Sequence, residues 1–233
     1  MSDVPGKRMP FREFQAGLIE IWPLGLGVLV YGFAFGVLTV QADMTLLQTG
    51  MMGAFVFAGA SQIVAVERLV TDGAVLSGIV AGSVLNLRFL LLTASLCSEL
   101  GGRPFWQIAL GVHMTGDESW ALMLSRKNQG QAVGYWYLVG GGCNLMLCWL
   151  ASTMAGNSFS SFIADPMAWG LDFAFTAVFI ALLRTFWKGR AVSLRPWMVS
   201  VAVVMGLQWL GLESSWTLMA GGVAGAAVAG CHV

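Results

Sequence analysis

Long apolar stretches broken by short polar joints set the pattern of this chain. A helix needs about 20 apolar residues to cross a bilayer. Runs of that kind fall at about 20–41, 46–66, 74–96, 105–125, 133–155, 168–187, 196–212 and 214–231. The pattern predicts an all-α polytopic integral membrane protein with about eight transmembrane segments, some of them broken or re-entrant. Residues 1–19 mix acids and bases and read as a cytoplasmic tail; residues 20–233 read as one transmembrane domain.

Composition agrees. The chain has 233 residues, 57% hydrophobic and 10% charged, where soluble domains carry about 25% charged residues. Mean hydropathy is +0.75. Zero formal net charge argues against a nucleic-acid surface. Cys97, Cys143, Cys148 and Cys231 lie in or beside apolar runs without a CxxC, and the histidines are His113 and His232. Neither a disulfide framework nor a metal or haem centre is expected, and no cofactor motif stands out. A Walker motif is also missing, so ATP hydrolysis by this chain is not expected.

Orientation follows from the basic residues. With eight crossings, Lys7, Arg8, Arg12, Arg68, Arg126, Lys127, Arg184, Lys188, Arg190 and Arg195 share one side and Arg103 lies opposite. That side would be cytoplasmic and would hold both termini. Gly32/Gly36, Gly78/Gly82 and Gly221/Gly225 have the spacing that brings helix backbones close.

Three places break the apolar rule. In FAGASQ, residues 57–62, the small residues Gly59, Ala60 and Ser61 precede Gln62. Two readings fit: a close helix crossing, or a helix broken inside the membrane whose freed amides receive a carboxylate. In NLR, Asn86 and Arg88 stand within an apolar run. Counted along a straight span, Arg88 is about 20 Å deep, where a guanidinium faces a partner or water. In HMTGDESW, residues 113–120, His113, Asp117 and Glu118 are ionisable. On an intact helix His113 and Asp117 share a face. Counted from the cytoplasmic end of a straight span, they sit at about 18 and 12 Å. That mismatch with Arg88 makes an Arg88–Asp117 pair depend on a bend, for which Gly116 is a natural place. The acids fit a proton relay, a substrate site, a structural polar network or a cytoplasmic vestibule. Asp172, near the start of its span, fits a helix N-terminus or an entrance.

Taken together, FAGASQ, NLRFLLLTASL (86–96), GDESWAL (116–122) and LDFAFTAVFIALL (171–183) resemble, in order and spacing, the signature segments of the AzlC-type branched-chain amino acid permease family. Gly116 stands where that family has threonine, and His113 lies outside its pattern. The resemblance implies an inner-membrane secondary exporter of branched-chain or related amino acids, working with a small AzlD-type membrane subunit. On this reading Gly59, Ala60, Ser61, Gln62, Asn86 and Arg88 bind substrate. Asp117, Glu118 and His113 carry a coupling proton or the substrate ammonium. The expected partners are the amino acid, lipid and the small subunit. A passive channel and an intramembrane enzyme using His113, Asp117 or Glu118 remain the alternatives.

Overall fold

A computed structural model describes residues 10–73, 75–162, 180, 187, 189–212 and 214–230. Among them all regular structure is helical. Among the described residues four helical stretches are long and apolar enough to cross a membrane: Trp22–Gln41, Val75–Ser95, Tyr135–Phe162 and Arg190–Trp209. Large apolar side chains such as Phe55, Leu91 and Trp209 point outward, as lipid-facing residues do.

Helix α1 (Pro10–Glu20) occupies part of the expected tail and leads into α2 (Trp22–Gln41). Helix α2 lies parallel to α10 (Tyr135–Phe159). Gly25 faces Asn144 and Cys148, Gly32 faces Ser152, and Gly36 faces the backbone of Thr153 to Gly156. A methyl group at Gly36 would collide with the Thr153 carbonyl, so the Gly32/Gly36 pair sets the close approach. At the end remote from α1, Asn157 Nδ2 donates to Thr39 Oγ1 at 3.0 Å and Thr49 Oγ1 at 3.2 Å. That ties α2 and α10 to the start of the next helix.

Helix α3 (Leu46–Val56) opens with a Thr45/Gln48 capping box and runs back along α10 toward the middle of the fold. It ends at Phe57, whose φ is +40°. Helix α4 (Gly59–Asp72) then doubles back. Gln62 Nε2 donates to Met52 O at 2.6 Å, a contact that a straight 46–66 helix would separate by about 15 Å. Helix α5 (Val75–Asn86) runs antiparallel to α4, with Gly78 on Ala65 and Gly82 on Ser61. After a bend at Leu87, α6 (Arg88–Ser95) and α7 (Cys97–Leu100) reach the α1 end.

The second half repeats the device from the other end. Helix α8 (Phe105–His113) rises beside the start of α10, where Tyr135 donates to Gln107 O at 2.8 Å. The chain turns at Met114–Gly116, and α9 (Asp117–Asn128) returns to the α1 end. There Lys127 pairs with Glu99, Arg126 pairs with Glu20 at 2.7 Å, and Glu13 accepts from Gly134 N. Helices α11 (Arg190–Trp209) and α12 (Ser214–Gly230) pack antiparallel through Gly221 and Gly225 on Ser200.

Two expected crossings, 46–66 and 105–125, are therefore helical hairpins that enter and leave at the same end. The sides assigned to two arginines change with them. Arg103 joins Arg12, Arg126 and Lys127 at the α1 end, because Glu99 and Lys127 are ion-paired and Arg103 Nε bonds Glu99 O at 2.6 Å. Arg68, late on α4, lies toward the opposite end. The expected span 168–187 falls outside the described residues apart from Ile180 and Trp187.

Candidate functional site

The tips of the two hairpins meet halfway along α2 and α10. Between them lies a small cavity walled by Tyr31 and Val28 of α2, Leu145 and Trp149 of α10, and the start of α6. Each tip ends in a helix N-terminus. At α4 the first i→i−4 bond is Gln62 N to Ala58 O at 2.9 Å. The N–H groups of Gly59, Ala60 and Ser61 precede it and give that end its positive character. At α9, Asp117 and Glu118 occupy the first turn, where carboxylates are favoured by the helix dipole. Ser119 Oγ holds the turn, accepting from Gly116 N at 2.9 Å.

Arg88 closes the cavity from α6. Its Nη2 lies 2.8 Å from Asp117 Oδ2, with the two side chains 34% and 25% exposed. Nε of Arg88 is buried without a partner. Glu118 shares a hydrogen bond with the Tyr31 hydroxyl. The cavity thus sets one guanidinium and an open helix N-terminus against two carboxylates, with Phe57, Val28 and Leu145 as apolar wall. Both signs of charge thus stand beside an apolar wall.

The expected residues divide. Gly59, Ala60, Arg88, Asp117 and Glu118 line this cavity together. Ser61, Gln62 and Asn86 do not: they face a separate groove on the other side of α4. Ser61 Oγ donates to Asn86 Oδ1 at 2.6 Å there. The turn at Met114–Gly116 breaks the shared face expected of His113 and Asp117. His113 Nε2–H instead donates across to Ala54 O at 2.9 Å, and its ring packs 6.2 Å from that of Phe57. Ala54 is within the last turn of α3, so the imidazole satisfies a carbonyl that the break leaves open. Asp172 lies outside the described residues. Tyr31 and Trp149 were missed. The available signal was position: both are amphipathic aromatics at mid-span rather than near a span end.

Residues 23–163, which contain every wall of the cavity, match the family described as AzlC protein. The chain belongs to the AzlC family. Its relatives include an uncharacterized membrane protein of Helicobacter pylori (strain ATCC 700392 / 26695), 25% identical over 81% of this chain and 82% of that one. Another, from Archaeoglobus fulgidus, is 26% identical over 93% and 92%. A third, from Haemophilus influenzae, is 22% identical over 72% and 69%. No solved structure matches. The family and these membrane-protein relatives suggest a membrane transporter or permease.

Proposed function

We propose that this AzlC protein is a secondary exporter of small aliphatic amino acids, branched-chain ones foremost. The observation that carries the reading is the meeting of two broken hairpins at one cavity holding Arg88, Asp117 and Glu118. The substrate carboxylate would take Arg88 Nε and the free N–H groups of α4. Its ammonium would sit by Asp117 and Glu118, and its side chain against Val28, Phe57 and Leu145. When the substrate leaves, Asp117 or Glu118 takes a proton, so the outward movement of amino acid is coupled to the proton gradient. Concentration of Arg12, Arg103, Arg126 and Lys127 at the α1 end supports a cytoplasmic placement of that end, in the inner membrane of the cell. A small AzlD-type membrane subunit completes the exporter, and co-purification of the two chains tests that claim.

Proteoliposomes loaded with labelled leucine or valine test the activity. Saturable, stereoselective efflux that responds to an imposed pH gradient is expected. Non-saturable flux indifferent to stereochemistry would mark a channel instead, and flux indifferent to the gradient would end the proton coupling. Asp117→Asn and Glu118→Gln identify the coupling group, since the variant of that residue loses the gradient response but keeps exchange.

A further inference from the structure

The two hairpins share more than shape. Gly53, Ser61, Gly82, Asn86 and Leu87 recur at one constant spacing as Gly111, Ser119, Gly140, Asn144 and Leu145. Two of the recurring residues, the serines, hold corresponding places. Ser61 and Ser119 are each third in the helix that follows a break. Gly82 of α5 packs on Ser61; Gly140 itself packs on Phe14 of α1, and its neighbour Gly141 is in van der Waals contact with Ser119 Cβ. Helices α3, α4 and α5 thus correspond to α8, α9 and α10, and the two sets enter from opposite ends. That is the pattern of an inverted repeat, in which the two halves of a transport path lie on opposite sides of a central site.

The halves differ in what fills them. Between α8, α9 and α10 the space is packed by Met123 and Tyr135, with Tyr137 beside them reaching Glu20 of α1, each 2% exposed or less. The corresponding positions in the first half are Ala65, Ser77 and Ile79. Two of these, Ala65 and Ile79, line a groove of about 370 Å³ between α3, α4 and α5, within the size range of small-molecule sites. Its walls are aliphatic, with Met52, Val66 and Ile79 among them, and it extends to Met44 and Leu69 near the end remote from α1. Its inner end is polar: the Ser61–Asn86 bond and Gln62, whose Oε1 is buried with no partner. Only the first turn of α4 separates that floor from the charged cavity, since Ala60 lines one and Ser61 the other.

We propose that this groove is a second amino acid site, the outward half of the path. An aliphatic side chain lies against Met52, Val66 and Ile79, and the head group meets Asn86, Ser61 and Gln62. The proposal rests on the carrier reading of the central cavity, and the test separates the two. Ile79→Cys is introduced into the full chain and exposed, in intact cells, to a membrane-impermeant maleimide, with the unaltered chain as control for the native cysteines. Labelling from outside is expected, slowed several-fold by saturating leucine and not by glutamate. Ala65→Met, which copies Met123 into the groove, should weaken that protection by roughly tenfold, the scale of an overpacked site, while the protein remains monodisperse. Arg88→Gln should abolish efflux yet leave leucine protection at Ile79→Cys intact. Absence of labelling from outside, or labelling indifferent to leucine, overturns the groove site even if efflux depends on Arg88. Protection without any efflux by the unaltered chain would instead overturn the carrier reading and leave the groove a binding site.

Discussion

At the scale of single residues, the ion pair of Arg88 and Asp117 governs the cavity. Remove the guanidinium and two carboxylates share the first turn of α9 with no other cation among the described residues that line the cavity. Breaking a fully buried pair costs about 3–5 kcal/mol; a quarter to a third of each side chain is exposed here, so about 1–3 kcal/mol is the expected scale for Arg88→Gln. A lower thermal midpoint in detergent should show it, and the double variant Arg88→Gln/Asp117→Asn should recover most of the loss. No recovery would mean that Arg88 stabilises through packing. His113 makes a second case. His113→Leu strands the Ala54 carbonyl and should cost about 1–3 kcal/mol, whereas His113→Gln keeps a donor and should cost less. Equal losses would show that the ring contact with Phe57 matters more than the bond. Arg88, Asp117 and Glu118 were legible because a charge inside an apolar run is expensive and therefore visible. Tyr31 and Trp149 were not, because an aromatic ring costs little there and leaves no such mark.

At the scale of elements, apolar run length misled in one respect. A hairpin of two half-helices and a single spanning helix both need about 20 apolar residues, so hydropathy alone does not separate them. A break was one of two readings of FAGASQ, and Gly116 was a natural place for a bend. What was not readable was the sharp reversal, which Phe57 makes with a left-handed φ of +40°, a conformation uncommon for bulky residues. The second hairpin is held at its outer end by Glu99 and Lys127. Burial tends to raise the Glu99 carboxyl, but the bonds from Lys127 and Ser98 outweigh it and hold the group below its ordinary value. A depressed carboxylate stabilises the fold above its unfolded pKa, about 4.3 for Glu. The contribution is lost as pH falls through the lower folded value. The thermal midpoint should therefore drop as pH falls below about 4, and Glu99→Gln should flatten that part of the profile. For a partly exposed pair the effect is about 1 kcal/mol or less. A variant that retains the full acid slope would assign it to other carboxylates.

At the scale of the whole molecule, the two hairpins decide which loops share a side. Reading eight straight crossings places residues 97–104 opposite residues 126–132, because one crossing separates them. The fold places them together, since α8 and α9 leave by the end at which they entered. Native Cys97 is exposed at that end, and Gln129 is exposed in the α9–α10 connection. Gln41, exposed at the end of α2, lies at the other. The three positions make a direct test. An impermeant thiol reagent should reach Cys97 and Gln129→Cys from the same side of the membrane, the interior face of inside-out vesicles' parent cells, and should reach Gln41→Cys only from the opposite side. If Cys97 and Gln129→Cys label from different faces, α8–α9 crosses the bilayer, and the cavity could not bring Asp117 to Arg88 with both hairpin tips at one depth. The same outcome would dissolve the inverted relation of the two halves. Sidedness at these three residues therefore bears on the site as directly as any substitution within it.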